Sequence, residues 1–418
     1  MLLKLLILSI VTLISAEKVR YDNYALYKVE PKTEDHLKFL KELEHEGKLD
    51  FWKPVDHVGD YASVVAPPEM RKEFERSLKK RSIHSEMMLE NIQEAFDSQI
   101  YSRKRRSAGP EMFWTNYQTM EDIYEWFEYL ARTHSDIVSL VTIGRSFEGR
   151  NITGVRISRG NSNRNFIIEG GQIGADWLSP TVVAYMVDQL VKGDDPQALR
   201  ATQDFTWHIF PIVNPDGHQF SQDSVRLWTK NRKPSILSRA PGAIGADLSR
   251  NWNSQWGVHG ANFDPFSNTY PGLGPFSEDE TRQFARYIES IGTRTTAFLS
   301  FRGFGQRLLI PFAHSTEPMF NFNETIAIGR RAMGEMAVRY NTQYQVGTSA
   351  QVSVGSTGNV ADWVKFRFNP PLVFTYLLRD QGSWGYTLPV NQVLPSCEET
   401  FDSVMAIIRE ARFINVIE

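Results

Sequence analysis

The sequence predicts an α/β protein whose sheet is mostly parallel and covered by helices on both faces. Two observations carry this. Between residues 120 and 413, apolar runs of strand length alternate with longer stretches of helical period, the pattern of strands joined by crossover helices. At residues 165–180 a short apolar run, NFIIE, ends in Gly170-Gly171 and gives way to apolar residues at helical spacing from Trp177 to Lys192. A strand that turns at glycines into a helix delivers side chains to the carboxyl edge of a sheet, where such folds place their chemistry.

The elements follow in order. Residues 1–16 hold one lysine, the run LLILSIVTLIS and a closing Ser-Ala, a secretory signal peptide too short to span a bilayer. Next, RYDNYALYKVEP alternates as a strand, and TEDHLKFLKELEHEG is an amphipathic helix with Thr33 as its cap. The runs LDFWKPV and ASVVAPP and a helix from Pro68 complete a small unit. It ends at Arg103, Lys104, Arg105 and Arg106, a basic run before small turn-forming residues. That pattern suits proprotein-convertase cleavage in an exposed linker; Lys79-Lys80-Arg81 is a weaker basic site. Beyond it the pattern predicts a helix near 120–134, strand 165–169, helix 177–192, strand 205–213 and helix 277–291. Strands 296–301 and 307–312, helix 325–340, strand 372–378 and a closing helix near 398–413 follow.

At 418 residues, 41% hydrophobic and 23% charged, the chain has room for two or three soluble domains. A net charge of -3 gives no electrostatic footprint for nucleic acid. No later segment is apolar enough for a membrane span, so a soluble, secreted, extracellular monomer is expected. A single cysteine, Cys397, allows no internal disulfide. It reads as a small core residue, with a reactive thiol or an intermolecular bridge as the other readings. Asn151-Ile152-Thr153 and Asn323-Glu324-Thr325 are glycosylation sequons; Asn323, in a loop before a helix, is the better placed.

The stretch EGGQIGADWLSP resembles the zinc-site turn of the carboxypeptidase A/B family, E-G-G-I-H-A-R-E-W-I-S-P. The N-terminal unit resembles that family's prosegment pattern Y-x-L-Y-x-V-x-P…HL-x-FL-x-x-L. IGRSFEGRNI, FPIVNPDG, RLWTKNR, DLSRNW, FSEDETR, ADW, LRDQGSWGYTLP and EETF also have family counterparts. The resemblance implies the zinc carboxypeptidase fold, a mixed, mostly parallel central sheet with helices on both faces. A small antiparallel α/β prosegment domain precedes it and lies over the active-site mouth. The implied organisation is signal peptide 1–16, prosegment 17–106 and carboxypeptidase-like domain 107–418.

The same resemblance marks departures. The family's first zinc-binding His falls on Ile173, its zinc-binding Glu on Asp176 and a catalytic-site Arg on Ala175. Its third ligand, a His, falls on Arg302 in AFLSFRGFGQ. An isobutyl group has no lone pair, and a guanidinium is a donor only, so neither binds zinc. The general-base Glu falls on Leu377, which cannot take a proton from water. The oxyanion-stabilising Arg falls on Thr229, and the capping Tyr on Val354. Arg226, Arg250 (with Ser249 in place of its partner Asn) and Ala361 match groove, terminal-carboxylate and specificity-pocket positions. With Arg302 added, three arginines would favour an anion, unless neighbouring acids neutralise each; both readings stay open. Asp176 and Arg302 replace converging ligands and are predicted to form a buried ion pair.

A degenerate member without zinc or other cofactor is therefore expected. It would be a secreted, catalytically inactive pseudoenzyme that serves as a binding or regulatory module. Its ligands would be peptide C-termini or extracellular-matrix proteins. The alternative is an active metallocarboxypeptidase with an unconventional site cleaving C-terminal residues. A third possibility is that the prosegment never leaves. His314-x-x-Glu317 has metal-ligand spacing without a third ligand. His134, His208, His218 and His259 show no such spacing, and His208 reads as a core or sheet-face residue.

Overall fold

The computed structural model describes residues 18–55, 57–99, 112–160, 162–238, 240, 242–353 and 356–418. The signal-peptide segment, the basic run 103–106 and Val354 lie outside these described residues.

The N-terminal unit runs β1 (Ala25–Glu30), α1 (Glu34–Glu46), β2 (Asp50–Lys53), β3 (Ala62–Ala66), α2 (Pro68–Lys80), β4 (His84–Leu89) and α3 (Ile92–Gln99). Its four strands form an antiparallel sheet in the order β2-β3-β1-β4. The helix α1 starts as the sequence predicts, with Thr33 Oγ1 accepting from the His36 amide at 3.2 Å, and Gly47 closes it with a left-handed φ of 67°. Because strand side chains alternate, β1 feeds two cores. Ala25, Tyr27 and Val29 pack with Leu37, Leu40, Phe74 and Leu78 beneath α1 and α2. Leu26, with Trp52, Val65 and Phe96, packs instead against Leu227, Phe304 and Tyr386 of the larger unit. The middle of the small sheet is thus covered on both faces, which is why every residue of β3, Ser63 included, is buried.

The larger unit continues with α4 (Met120–Thr133), β5 (Val138–Arg145), β6 (Asn151–Ile157), β7 (Asn165–Glu169), α5 (Leu178–Lys192), α6 (Pro196–Asp204), β8 (Thr206–Phe210) and α7 (Pro215–Asp223). Then come α8 (Asp279–Ile291), β9 (Thr295–Arg302), β10 (Arg307–Ile310), α9 (Phe322–Tyr340), β11 (Gln345–Thr348), α10 (Ser349–Val352), α11 (Val360–Phe368), β12 (Leu372–Leu377) and α12 (Val393–Phe413). Eight strands form one mixed sheet in the order β11-β10-β12-β9-β7-β8-β6-β5. The central run β12-β9-β7-β8 is parallel, and antiparallel pairs join β10 to β12, β8 to β6 and β6 to β5. One face packs under α4, α5, α9 and α12 and the other under α8 and α11.

Several boundaries move for local reasons. The strand expected to 213 stops at Phe210 and the one expected to 312 stops at Ile310. In each case the next residue is a proline, which cannot donate to the ladder. The last helix opens at Val393, five residues early, with Pro395 in its first turn, where a missing N–H costs nothing. The β5–β6 hairpin was not anticipated. Its outer strand is half solvated, and Gly154 interrupts the apolar run because a Cβ there would meet the Ile209 carbonyl at 2.3 Å.

Cys397 is fully buried and free, and burial pushes its thiol pKa well up, as suits a small core residue. Both sequon asparagines are exposed, although Asn323 sits in the first turn of α9 rather than in a loop. Among the described residues no helix is long and apolar enough to cross a membrane.

His208 lies in β8 between the Tyr287 hydroxyl (2.7 Å) and Asn165 Oδ1 (3.0 Å), and burial lowers its pKa to about 4. Burial first, and Arg226 second, lower that of His218 to about 3. Both stay neutral when folded, whereas the unfolded chain takes up protons near pH 6.5. Stability from this source is complete above pH 6.5 and falls as pH drops from there toward the folded values. Urea unfolding at pH 7 and pH 5 should differ by about 2 kcal/mol per histidine, and His208→Gln should reduce that difference by about one histidine's share.

Candidate binding site at the carboxyl edge of the sheet

The carboxyl ends of β7, β9 and β12 lie side by side. Leu377 is in register with Arg302, and Glu169 with Ser300, so Glu169, Arg302 and Leu377 close three adjacent parallel strands. The chain then turns from β7 into α5 through Gly170 and Gly171. Gly171 has a φ of 62°, and a Cβ there would meet the Pro211 carbonyl at 2.7 Å, so only glycine fits without strain. This geometry opens a cavity of about 180 Å³. Ile173, Thr229, Ser249, Arg250, Arg302, Leu377 and Tyr386 line it from the large unit, and Asp50, Phe51, Trp52 and Lys53 from the small one.

Asp176 does not meet Arg302, contrary to the expected ion pair. Its Oδ1 accepts from the amides of Leu178 (3.1 Å) and Ser179 (3.0 Å), and its Oδ2 from Ser179 Oγ and the Gly303 amide, both at 2.6 Å. An aspartate, one methylene shorter than a glutamate, folds back onto the start of its own helix, where free amides and the dipole favour a carboxylate. Four donors saturate it, and burial raises its pKa.

The three arginines differ sharply. Arg226 is not a groove residue. It is buried on Trp177, 3.6 Å from the ring centroid, and donates to the carbonyls of Ala175 (2.7 Å) and Tyr386 (2.8 Å) and to Gln99 Oε1 (3.0 Å) of α3. Burial lowers its pKa to about 10. Arg250 pairs with Asp247 and donates to the Gly260 carbonyl at 2.6 Å; Ser249 Oγ is a distant 3.4 Å away. Its charge is neutralised. Arg302 is half-buried, makes no side-chain hydrogen bond or ion pair among the described residues, and has a fully buried, unpartnered Nε. Burial lowers its pKa, and Glu169 is the strongest opposing charge. Glu169 is itself buried and held through Oε1 by Gln172 Nε2 at 2.8 Å, with Oε2 unpartnered; burial raises its pKa.

The remaining positions resolve simply. Leu377 packs its side chain over Gly305, and Thr229 Oγ1 is buried with no partner. Ala361 lies in the core beside Trp252 and Trp363 and does not line the cavity. His314 faces Asp362 at 3.7 Å, outside any helix, so its spacing to Glu317 brings no shared face.

Sequence reasoning overlooked Asp50, Trp52 and Lys53 as cavity residues. The acid inside the apolar run LDFW was the available signal, and burial raises the Asp50 pKa to about 6. It also overlooked Asp247, whose place three residues before Arg250 matches ion-pair spacing on a turn. Lys53 contacts Asp60 at 2.8 Å, and Arg307 of β10 contacts the same carboxylate at 2.7 Å, a buried triad between the two units.

Comparison with known proteins supplies the lineage. Residues 123–403 match the family described as zinc carboxypeptidase, and residues 27–99 the carboxypeptidase activation peptide. The chain belongs to the zinc carboxypeptidase family. It is 33% identical to zinc carboxypeptidase A 1 of Anopheles gambiae over 401 residues, 95% of this chain and 92% of that one. It is 30% identical to carboxypeptidase B of Rattus norvegicus over 423 residues, 98% of this chain and 99% of that one. Among solved structures, thrombin activatable fibrinolysis inhibitor superposes with a TM-score of 0.84 at 22% identity, covering 95% of this chain and all (100%) of that one. The carboxypeptidase A of Helicoverpa armigera gives 0.83 at 24% identity, covering 94% and 98%.

The zinc that this family implies does not fit the residues present. Ile173 has no donor atom, Asp176 has spent its lone pairs on four hydrogen bonds, and Arg302 brings a positive charge. Among the described residues, no three His, Cys, Asp or Glu side chains are grouped to hold a metal.

Asp176 thus has a structural duty that can be measured. Asp176→Ala leaves three amides and a hydroxyl unpartnered and should lower unfolding stability by about 2–4 kcal/mol. Arg302→Met should cost nothing or stabilise, because it removes a charge without a partner. Urea midpoints of the two variants, compared with the parent chain, check this ordering.

Proposed function

We propose that this member of the zinc carboxypeptidase family is a secreted, catalytically silent binding module that uses the old cleft for recognition. One observation carries the reading: the side chains at the positions matching the family's zinc ligands, base and oxyanion group are aliphatic, hydroxylic and cationic, and the one carboxylate at a ligand position caps a helix instead. Peptide hydrolysis needs an activated water, a base and stabilisation of the oxyanion. Ile173 and Leu377 supply none of these, and Thr229 offers a neutral hydroxyl where a cation would face developing charge.

Recognition keeps what catalysis lost. The cleft retains a shaped cavity, an aromatic wall from Trp52, Phe304 and Tyr386 and an unpaired guanidinium. The signal-like N-terminus and the activation-peptide match support export with a prosegment.

The test combines metal analysis with peptidase assays on the full chain, before and after convertase treatment. We expect no stoichiometric zinc and no release of C-terminal residues with zinc supplied. Turnover together with bound zinc, both abolished by Asp176→Ala while the fold persists by circular dichroism, would overturn the reading.

A further inference from the structure

We propose that the Arg302 guanidinium binds the carboxylate of a ligand at the cavity floor, taking the place a metal ligand has in the family. The proposal rests on the binding-module reading and names the chemistry that module recognises. Carboxylate binding in this family would be expected at Arg250, and the charge distribution here argues against that. Asp247 pairs with Arg250, and a backbone carbonyl takes another of its donors. Arg226 is enclosed by Trp177, Gln99 and backbone oxygens. Of the three, Arg302 alone lines the cavity with no hydrogen-bond or ion-pair partner among the described residues, and its Nε is fully buried and unpartnered.

A buried cation without a close counter-charge is costly, and removing it is often stabilising. A ligand anion would convert that cost into affinity. The surroundings favour such a pair. Ile173 and Leu377, the latter the strand partner of Arg302, line the same cavity with apolar surface, which lowers the local dielectric and strengthens a bidentate Arg–carboxylate contact. Thr229 Oγ1, also buried and unpartnered, offers a hydroxyl to the same ligand.

The nearby acids define the ligand's charge. Glu169 is the strongest opposing charge on Arg302 but makes no ion pair with it among the described residues, and Gln172 holds it. Asp247 is committed to Arg250. Asp50, held by Trp52 Nε1 and Asn268 Nδ2, both at 3.2 Å, faces the cavity from the opposite unit. A second negative charge on the ligand would meet Asp50, so a monocarboxylate fits better than phosphate, sulfate or a dicarboxylate. Phe304, Trp52 and Tyr386 supply apolar surface for the ligand's body. A free small acid and the C-terminus of a peptide share this chemistry.

The full chain can be tested by calorimetry and thermal shift with N-acetyl-leucine and an acetylated tetrapeptide ending in leucine. Their C-terminal amides serve as neutral controls, and release of leucine is followed in parallel. The acids should bind and raise the melting temperature, and the amides should not. Arg302→Met should weaken acid binding by about 10- to 100-fold while melting no lower than the parent without ligand. Arg302→Lys, which keeps the charge but loses the fork, should fall between.

Binding of the tetrapeptide acid would identify peptide C-termini as the source, and binding of N-acetyl-leucine alone would identify free acids. Equal binding of acids and amides, no binding at all, or loss on Arg250→Lys with retention in Arg302→Met would overturn the proposal. Silence in the leucine-release assay would leave the binding-module reading standing in each of those cases. Leucine release would instead strike that reading.

Discussion

The carboxylate of Asp176 joins two strand ends that build the cleft. It caps α5 through the amides of Leu178 and Ser179 and reaches across to the Gly303 amide, one residue past the end of β9. This bridge sets the distance between the β7–α5 turn and the β9 terminus and so determines where Arg302 stands. It also removes the one acid at a ligand position from any other use. A carboxylate bound by four donors inside the protein is well compensated, whereas the guanidinium beside it is not. The cleft's chemistry follows from that asymmetry.

The small unit belongs to the same arrangement. Its sheet buries one face under its own helices and the other against Leu227, Phe304 and Tyr386. Polar contacts reinforce the apolar ones. Asp60 is shared between Lys53 and Arg307. Burial opposes its charge, but the two cations outweigh that and keep its carboxyl below the usual range. Gln99 receives Arg226 and donates to the carbonyls of Tyr386 (3.0 Å) and Leu388 (3.1 Å). The prosegment match thus corresponds to a unit that supplies one wall of the cavity.

Much of the fold could be read from local pattern. The parallel strands are nearly continuous apolar runs and the helices carry period and caps, so their existence followed from short-range rules. The elements that escaped are those whose residues answer to distant neighbours. The β5–β6 hairpin sits at the sheet edge with Gly154 dictated by the Ile209 carbonyl. In the small unit, β4 is exposed along much of its length, leaving no clear alternation to read. Strand ends failed where a proline cut the ladder one residue beyond an apolar run.

The cleft divides in the same way. That Ile173, Leu377 and Arg302 offer no metal-binding lone pair is a property of the side chains, independent of surroundings, and motif spacing was enough to place them. Which charges remain free is not. Asp247 and Arg250, Arg226 and Gln99, and Asp60 with Lys53 and Arg307 find one another only when strands, turns and the N-terminal unit close together. Asp176 pairs with a helix start rather than with Arg302 because a shorter arm reaches nearer amides. Residue chemistry is local, but the partner that satisfies a buried charge is chosen by packing, so only the folded chain decided which arginine is left unpaired.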